Sequence, residues 1–199
     1  MQEKITLVLG GARSGKSKFA EKYALHIGAK AAYIATAEVL DEEMADRVAY
    51  HKKRRANGRW FTFEAPYEAE KAMAEAGKVA DVVLFDCLTI YISNLMYGKG
   101  APEDFQAKYD YVYKGIDRLL KAARATNKPV VFVSNDVGAG IVPNSAMGRE
   151  YRDIAGWVNQ QVGMEADEVY YVIAGNAVDI KKIAFKFNDE NGEKKSERP

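Results

Sequence analysis

The chain has 199 residues, 48% of them hydrophobic and 29% charged, with a formal net charge of +1. This is the make-up of one globular domain with a buried core, and it excludes bulk attraction to nucleic acid or to an anionic membrane surface. The single cysteine, Cys87, excludes an intrachain disulfide and a cysteine-only metal site, which points to a reducing cytoplasm, and no apolar run approaches the roughly 18 residues of a membrane span.

In chain order, β-rich apolar runs occur at Ile5–Leu9, Ala31–Ala35, Val82–Phe85, Val130–Val133 and Val169–Ile173. Helical patterns lie between them, at about 17–29, 38–55, 67–76, 89–97, 104–126 and 145–164. The first strand starts almost at the N-terminus, with no signal-peptide pattern ahead of it. A last run, Ile180 to Phe187, reads as one more strand at the sheet edge. Residues 188–199 are polar and aperiodic and read as a flexible tail, which leaves 1–187 as a single catalytic domain. Strands rich in Val, Ile and Leu that alternate with helices predict an α/β fold, its mostly parallel central sheet covered by helices on both faces. Ligands of such sheets bind beyond the carboxyl ends of the strands. Thr36, Asp86, Asn135 and Gly175 follow those ends and are candidates.

The most informative stretch leaves the first strand: Gly10-Gly11-Ala12-Arg13-Ser14-Gly15-Lys16-Ser17. Strand, glycine-rich loop, Lys-Ser and helix follow one another as a phosphate-binding P-loop requires. Backbone N–H groups of the loop and helix start face the phosphates. Lys16 is placed for the β- and γ-phosphates, and the Ser17 hydroxyl for Mg²⁺. Asp86 ends an apolar strand, as a Walker-B carboxylate does when it holds Mg²⁺. The same residue could instead cap the helix beginning near Cys87.

Leu40, Met44 and Val48 recur every four residues, the apolar stripe of a helix. Acidic residues near its start and Lys52, Lys53, Arg54 and Arg55 near its end complement the helix dipole, so a solvated helix is one reading. The other rests on Arg47, His51 and Arg55, which share a second stripe at i, i+4 and i+8. A histidine among cations is disfavoured from protonating, and neutral imidazole is what a nucleophile needs. His26, before Gly28, reads as a helix-end residue. Asn135 to Pro143 is a shaped loop or a plain turn at the ligand edge of the sheet. In the following helix Met147, Tyr151, Ile154, Val158 and Val162 form the apolar stripe. Arg149 and Arg152 lie off it, as solvated residues or as contacts to an anion.

Several segments resemble the bifunctional adenosylcobinamide kinase / adenosylcobinamide-phosphate guanylyltransferase family of cobalamin biosynthesis. They are Leu9–Ser17, Tyr33–Ala37, Leu40–Met44, Arg47–Lys52, Asp86–Thr89, Ser93–Leu95, Ser134–Pro143, Arg149–Gly156, Asn159-Gln160 and Ala166–Val169. The resemblance implies a RecA-like P-loop NTPase fold and two reactions. One phosphorylates adenosylcobinamide with ATP or GTP. The other moves GMP from GTP through a guanylylated histidine onto adenosylcobinamide phosphate. It implies that His51 is the nucleophile, with Mg²⁺ as cofactor and a trimer as the assembly. Nucleotide contacts then map onto residues 10–17, onto Ile34, Ala35 and Thr36, onto Lys52 to Arg55, and onto Glu64, Asp86 and Cys87. The chain departs from the pattern at Tyr50, where some members carry a second histidine, at Asp136, where Glu is usual, and from Asn176 onward. An enzyme with one of the two activities, a small-molecule P-loop kinase, and a RecA-like ATPase module are the alternatives.

Overall fold

The computed structural model describes residues 4–38 and 58–185. The elements are β1 (Ile5–Gly10), α1 (Lys16–Ile27), β2 (Ala31–Ala35), β3 (Trp60–Glu64), α2 (Ala69–Val79), β4 (Val82–Asp86) and α3 (Leu88–Tyr97). They continue with α4 (Phe105–Ala125), β5 (Val130–Asn135), α5 (Ala146–Glu165), β6 (Glu168–Ile173), β7 (Asn176–Asp179) and a single turn, α6 (Ile180–Ile183). One seven-stranded sheet runs β3-β2-β4-β5-β1-β6-β7. Every pair is parallel except β6 and β7.

Alternation along each strand divides the core in two. Ile5, Leu7, Val83, Phe85 and Phe132 face one side, where α2 to α5 cover them. Val8, Val82, Leu84, Val131 and Val133 face the other, where α1 presents Ala20 and Ala24. Both faces of these strands are apolar because both are covered. Helices lie on both faces as expected, but unevenly: among the described residues α1 alone packs on the second face.

Local sequence accounts for the helix starts. The Asp104 carboxylate accepts from Ala107 N–H, 3.0 Å, and Ser145 Oγ accepts from Gly148 N–H, 3.1 Å, each capping its helix. Met73 of α2 is fully buried, as are Ile116 and Leu119 of α4, all on the helix faces turned to the sheet.

Three expectations need correction. Trp60–Glu64 is a parallel edge strand where no strand was expected; its residues are half-exposed or exposed and its burial does not alternate, so its place in the sheet shows only through its pairing with β2. Of the run from Ile180 to Phe187, the described part, 180–185, is not a strand. Asn176–Asp179 is the edge strand, folded back on β6 through Ala174 and Gly175, whose φ angles are 49° and 79°. Two consecutive positive φ values make the tight hairpin turn that suits strand twist. The chain then enters α6, and Ala184 and Phe185 have no regular structure. Third, Met147 does not join the apolar stripe of α5; it is 61% exposed. The helix expected at 38–55 lies outside the described residues apart from Glu38, which is not helical.

Candidate active site

β1 ends at Gly10 and α1 begins at Lys16, so Gly11 to Gly15 form a loop at the carboxyl edge of the sheet. Its shape depends on two glycines. Gly15 has φ 98°, a left-handed conformation costly for any other residue, and a Cβ there would lie 3.2 Å from Gly175 Cα. A Cβ on Gly10 would lie 2.5 Å from Val172 O and 2.6 Å from Ser14 Oγ. The loop is closed from the far edge by Gly175 N–H, which donates to Ser14 O at 2.8 Å. Lys16 is buried, and its Nζ donates to Gly11 O at 3.1 Å, folding the side chain back over the loop. Burial pulls its pKa down, while Cys87 and Asp86 oppose that shift. Ser14 Oγ is buried with no partner among the described residues. A cationic side chain, a helix N-terminus and an unpaired hydroxyl fit the phosphates of a nucleotide.

β5 stands between β1 and β4, yet the tip of β4 still acts on the loop through Lys16. Asp86 Oδ2 accepts from Tyr33 OH at 3.1 Å. The N-cap of α3 is Cys87, without a side-chain cap, so Asp86 does not cap that helix. Cys87 is pinned: Thr36 Oγ1 accepts from its N–H and donates to its C=O, both at 2.9 Å. Its Sγ lies 3.0 Å from Thr89 Oγ1, and burial pushes the thiol pKa up to about 11. That is the setting of a structural thiol rather than a nucleophile. Asn94 Nδ2 donates to Thr36 O at 2.8 Å and to Pro66 O at 2.9 Å, joining the exits of β2 and β3.

A family model described as cobinamide kinase / cobinamide phosphate guanyltransferase matches residues 6–180. The chain belongs to this family. It is 39% identical over 180 residues to the bifunctional adenosylcobalamin biosynthesis protein CobU of Escherichia coli K12, covering 88% of this chain and 98% of that protein. It is 34% identical over 175 residues to the bifunctional adenosylcobalamin biosynthesis protein CobP of Pseudomonas aeruginosa PAO1, covering 88% and 96%. A KaiC-like protein of Pyrococcus horikoshii OT3 shares the fold at a TM-score of 0.50 and 13% identity, covering 85% of this chain and 71% of that one. The α/β fold with a mostly parallel central sheet is therefore the one present.

Within this guanyltransferase family member, the structure gathers residues 10–17, Thr36, Asp86 and Cys87 along one edge of the sheet. Ile34 is fully buried, so its side chain belongs to the core. Ala35 pairs with Glu64 across β2 and β3, which places the exposed Glu64 at the same edge. Ser17 opens the first turn of α1, behind Lys16. His51 and Lys52, Lys53, Arg54 and Arg55 lie outside the described residues, as does the tail at 188–199. Among the described residues no three His, Cys, Asp or Glu side chains converge on a point, and no helix is long and apolar enough to cross a membrane.

The loop after β5 is anchored at both ends. Asp136 N–H donates to Gly10 O at 3.2 Å, and Tyr171 OH donates to Asp136 Oδ2 at 3.0 Å. At its far end Arg149 donates to Pro143 O and Asn144 O, at 3.1 and 2.8 Å. Sequence reasoning missed the polar chain behind this loop. Ser134 Oγ donates to Asn159 Oδ1 at 2.7 Å, Asn159 Nδ2 to Asn135 O at 3.1 Å, and Asn135 Nδ2 to Thr89 Oγ1 at 3.2 Å. Tyr151 OH completes it by donating to Thr89 O at 3.1 Å. Polar residues on the sheet side of α5 were the only local signal of it.

Proposed function

We propose that this chain phosphorylates the hydroxyl of adenosylcobinamide with ATP or GTP, and transfers GMP from GTP to adenosylcobinamide phosphate. The supporting observation is the P-loop, with Lys16 folded over it and Asp86 acting on Lys16, in a chain that belongs to the cobinamide kinase / cobinamide phosphate guanyltransferase family. Residues 10–17 bind the triphosphate. Ser17 and Asp86 would hold Mg²⁺, since magnesium sites commonly use one or two carboxylates and the substrate's own phosphates. Mg²⁺ supplies charge neutralisation on the phosphate oxygens. Ile34, Ala35, Thr36, Glu64 and Cys87 border the rest of the nucleotide, with Lys52 to Arg55.

In the kinase reaction the acceptor hydroxyl oxygen bonds to the γ-phosphorus and releases its proton to solvent, the bond between the γ-phosphorus and the β-phosphate oxygen breaks, and the nucleoside diphosphate leaves. In GMP transfer a neutral His51 nitrogen bonds to the α-phosphorus and pyrophosphate leaves toward Lys16. The acceptor phosphate oxygen then takes GMP from His51, and the P–N bond breaks. Two displacements replace one difficult step, and positioning and fixed charge supply most of the acceleration. The reading also places the enzyme in the cytoplasm, as a trimer.

GTP labelled at the α-phosphate tests this. The wild type is expected to give an acid-labile, alkali-stable protein adduct that His51→Ala lacks. Equal labelling of the two proteins would sink His51 as the nucleophile. Transfer of γ-label to cobinamide without any adduct would leave a kinase alone.

A further inference from the structure

α5 carries three glycines, and their surroundings differ. A Cβ on Gly148 would meet Pro143 Cβ at 2.8 Å, a crowded position, whereas one on Gly163 would make only ordinary contact, 3.9 Å from Leu7 Cδ2. The glycines of α2 and α4 are also crowded: Gly77 by Thr126 at 2.8 Å and Gly115 by Leu95 at 3.0 Å. Gly156 meets nothing within 4 Å among the described residues. A glycine in a helix interior destabilises the helix relative to alanine. Gly156 carries that cost with no gain in the internal packing described.

The space it leaves is part of a shallow surface cavity, largely open to solvent, of about 220 Å³ lined by Gly138, Arg152, Asp153, Gly156, Trp157 and Gln160. Five of these lie on one face of α5, and Gly138 comes from the loop after β5. Trp157 is fixed from behind by Tyr109 and Phe105, with ring centroids at 4.8 and 6.0 Å. Arg152 already pairs with Asp153: Nε donates to Oδ1 at 3.1 Å. Charge within the cavity is thus balanced, which disfavours a bare phosphate. A rigid aromatic wall, an exposed primary amide and a neutralised ion pair suit an uncharged ligand rich in carboxamides. The cavity is close to the phosphate site. Asp136, bonded to Gly10, is two residues from Gly138, so their Cα atoms are at most about 7.6 Å apart.

We infer that this cavity receives the amide-bearing rim of the corrinoid acceptor, holding the macrocycle while its hydroxyl or phosphate arm reaches the P-loop edge. The inference rests on the function proposed above. A corrin ring is far larger than the cavity, so only its edge and one or two carboxamide arms enter, with Gly156 as the clearance for them.

The test uses the full chain with Gly156→Leu, which fills the cavity, and Gln160→Ala, which removes an amide. Adduct formation from α-labelled GTP needs no acceptor and reports the nucleotide half of the reaction separately. Both variants are expected to form adduct as the wild type does, while the KM for adenosylcobinamide phosphate rises at least tenfold for Gly156→Leu. In equilibrium dialysis, read by the corrinoid's visible absorption, cobinamide is expected to bind Gly156→Leu at least tenfold more weakly than wild type. Equal dialysis binding, or no binding to the wild type, overturns the cavity assignment whatever the protein catalyses. So does a Gly156→Leu protein that melts several degrees lower or changes its native mass, since the space would then belong to the fold or to a second copy. A wild type that binds cobinamide but forms no adduct, with binding still lost in Gly156→Leu, supports the cavity and overturns GMP transfer instead.

Discussion

Lys16 is the residue where stability and function pull apart. Its ammonium is buried, and burial pulls its pKa down against the opposing influence of Cys87 and Asp86. Holding a charge in such a place costs folding energy unless a partner compensates. The compensation on hand is the bond to Gly11 O and the carboxylate of Asp86; a triphosphate would add more. Lys16→Ala is therefore expected to leave the melting temperature unchanged or raised. Turnover of both reactions is expected to fall by about a hundredfold or more, the scale of losing one preorganised charge at a reacting phosphate. Thermal melting checks the first half; transfer of γ-label to cobinamide and release of pyrophosphate from GTP check the second. A large fall in melting temperature would mean that Lys16 is structural.

At the scale of elements, the site is an edge where strands end, and its precision depends on what ties those ends together. Thr36 is the tie between β2 and β4. Replacing it with valine keeps the shape and leaves the Cys87 N–H unmet in a buried position, while the Cys87 C=O keeps its bond from Tyr91 N–H at 3.2 Å. Such an unmet group costs about 1–3 kcal/mol, so Thr36→Val is expected to lower the urea midpoint clearly. Nucleotide affinity should fall with it, because Asp86 precedes the released residue. Helix packing offers a paired test. Gly77→Ala drives a Cβ to 2.8 Å from Thr126 Cβ, and overpacking of that kind typically costs about 1–3 kcal/mol. Gly156→Ala meets nothing within 4 Å among the described residues and is expected to stabilise by up to about 1 kcal/mol through helix propensity. Opposite signs in denaturant unfolding would confirm that the two glycines are there for different reasons.

For the whole molecule, the opposite edge of the sheet sets the acid limit. Asp167 Oδ2 accepts from Ile5 N–H at 2.7 Å and from Arg124 at 2.9 Å. Glu168 accepts from Lys4 and from Tyr23. Burial raises both carboxyl pKa values, but these bonds outweigh it and hold each group below its ordinary value. A carboxylate with a folded pKa below its unfolded one contributes stability above the unfolded value, near pH 4, and loses it as pH falls through the folded value. The urea midpoint is thus expected to drop as pH falls below about 4. Asp167→Asn and Glu168→Gln should be weaker at pH 7 and should show a shallower acid decline. An acid profile unchanged in both variants would contradict the pairing.

How much of this was legible depends on the range of the interactions involved. The P-loop needs only eight consecutive residues, a strand before them and a helix after them, so Gly10 to Ser17 could be read directly. Asp86 was readable for the same reason, as a charge at the tip of Val82–Phe85. β3 was not, because an edge strand of five half-exposed or exposed residues shows its partner only in register with β2. Nor was the edge hairpin, whose turn depends on the φ angles of Ala174 and Gly175 rather than on apolar pattern. By itself the sequence determined the local chemistry: which residues can cradle phosphate, where helices start, and which faces are apolar. Only the tertiary structure decided that β5 stands between β1 and β4, that Gly175 closes the loop on Ser14, and that Gly156 meets no neighbour among the described residues. Those facts rest on contacts between residues far apart in the chain, and chain position alone does not say which of them meet.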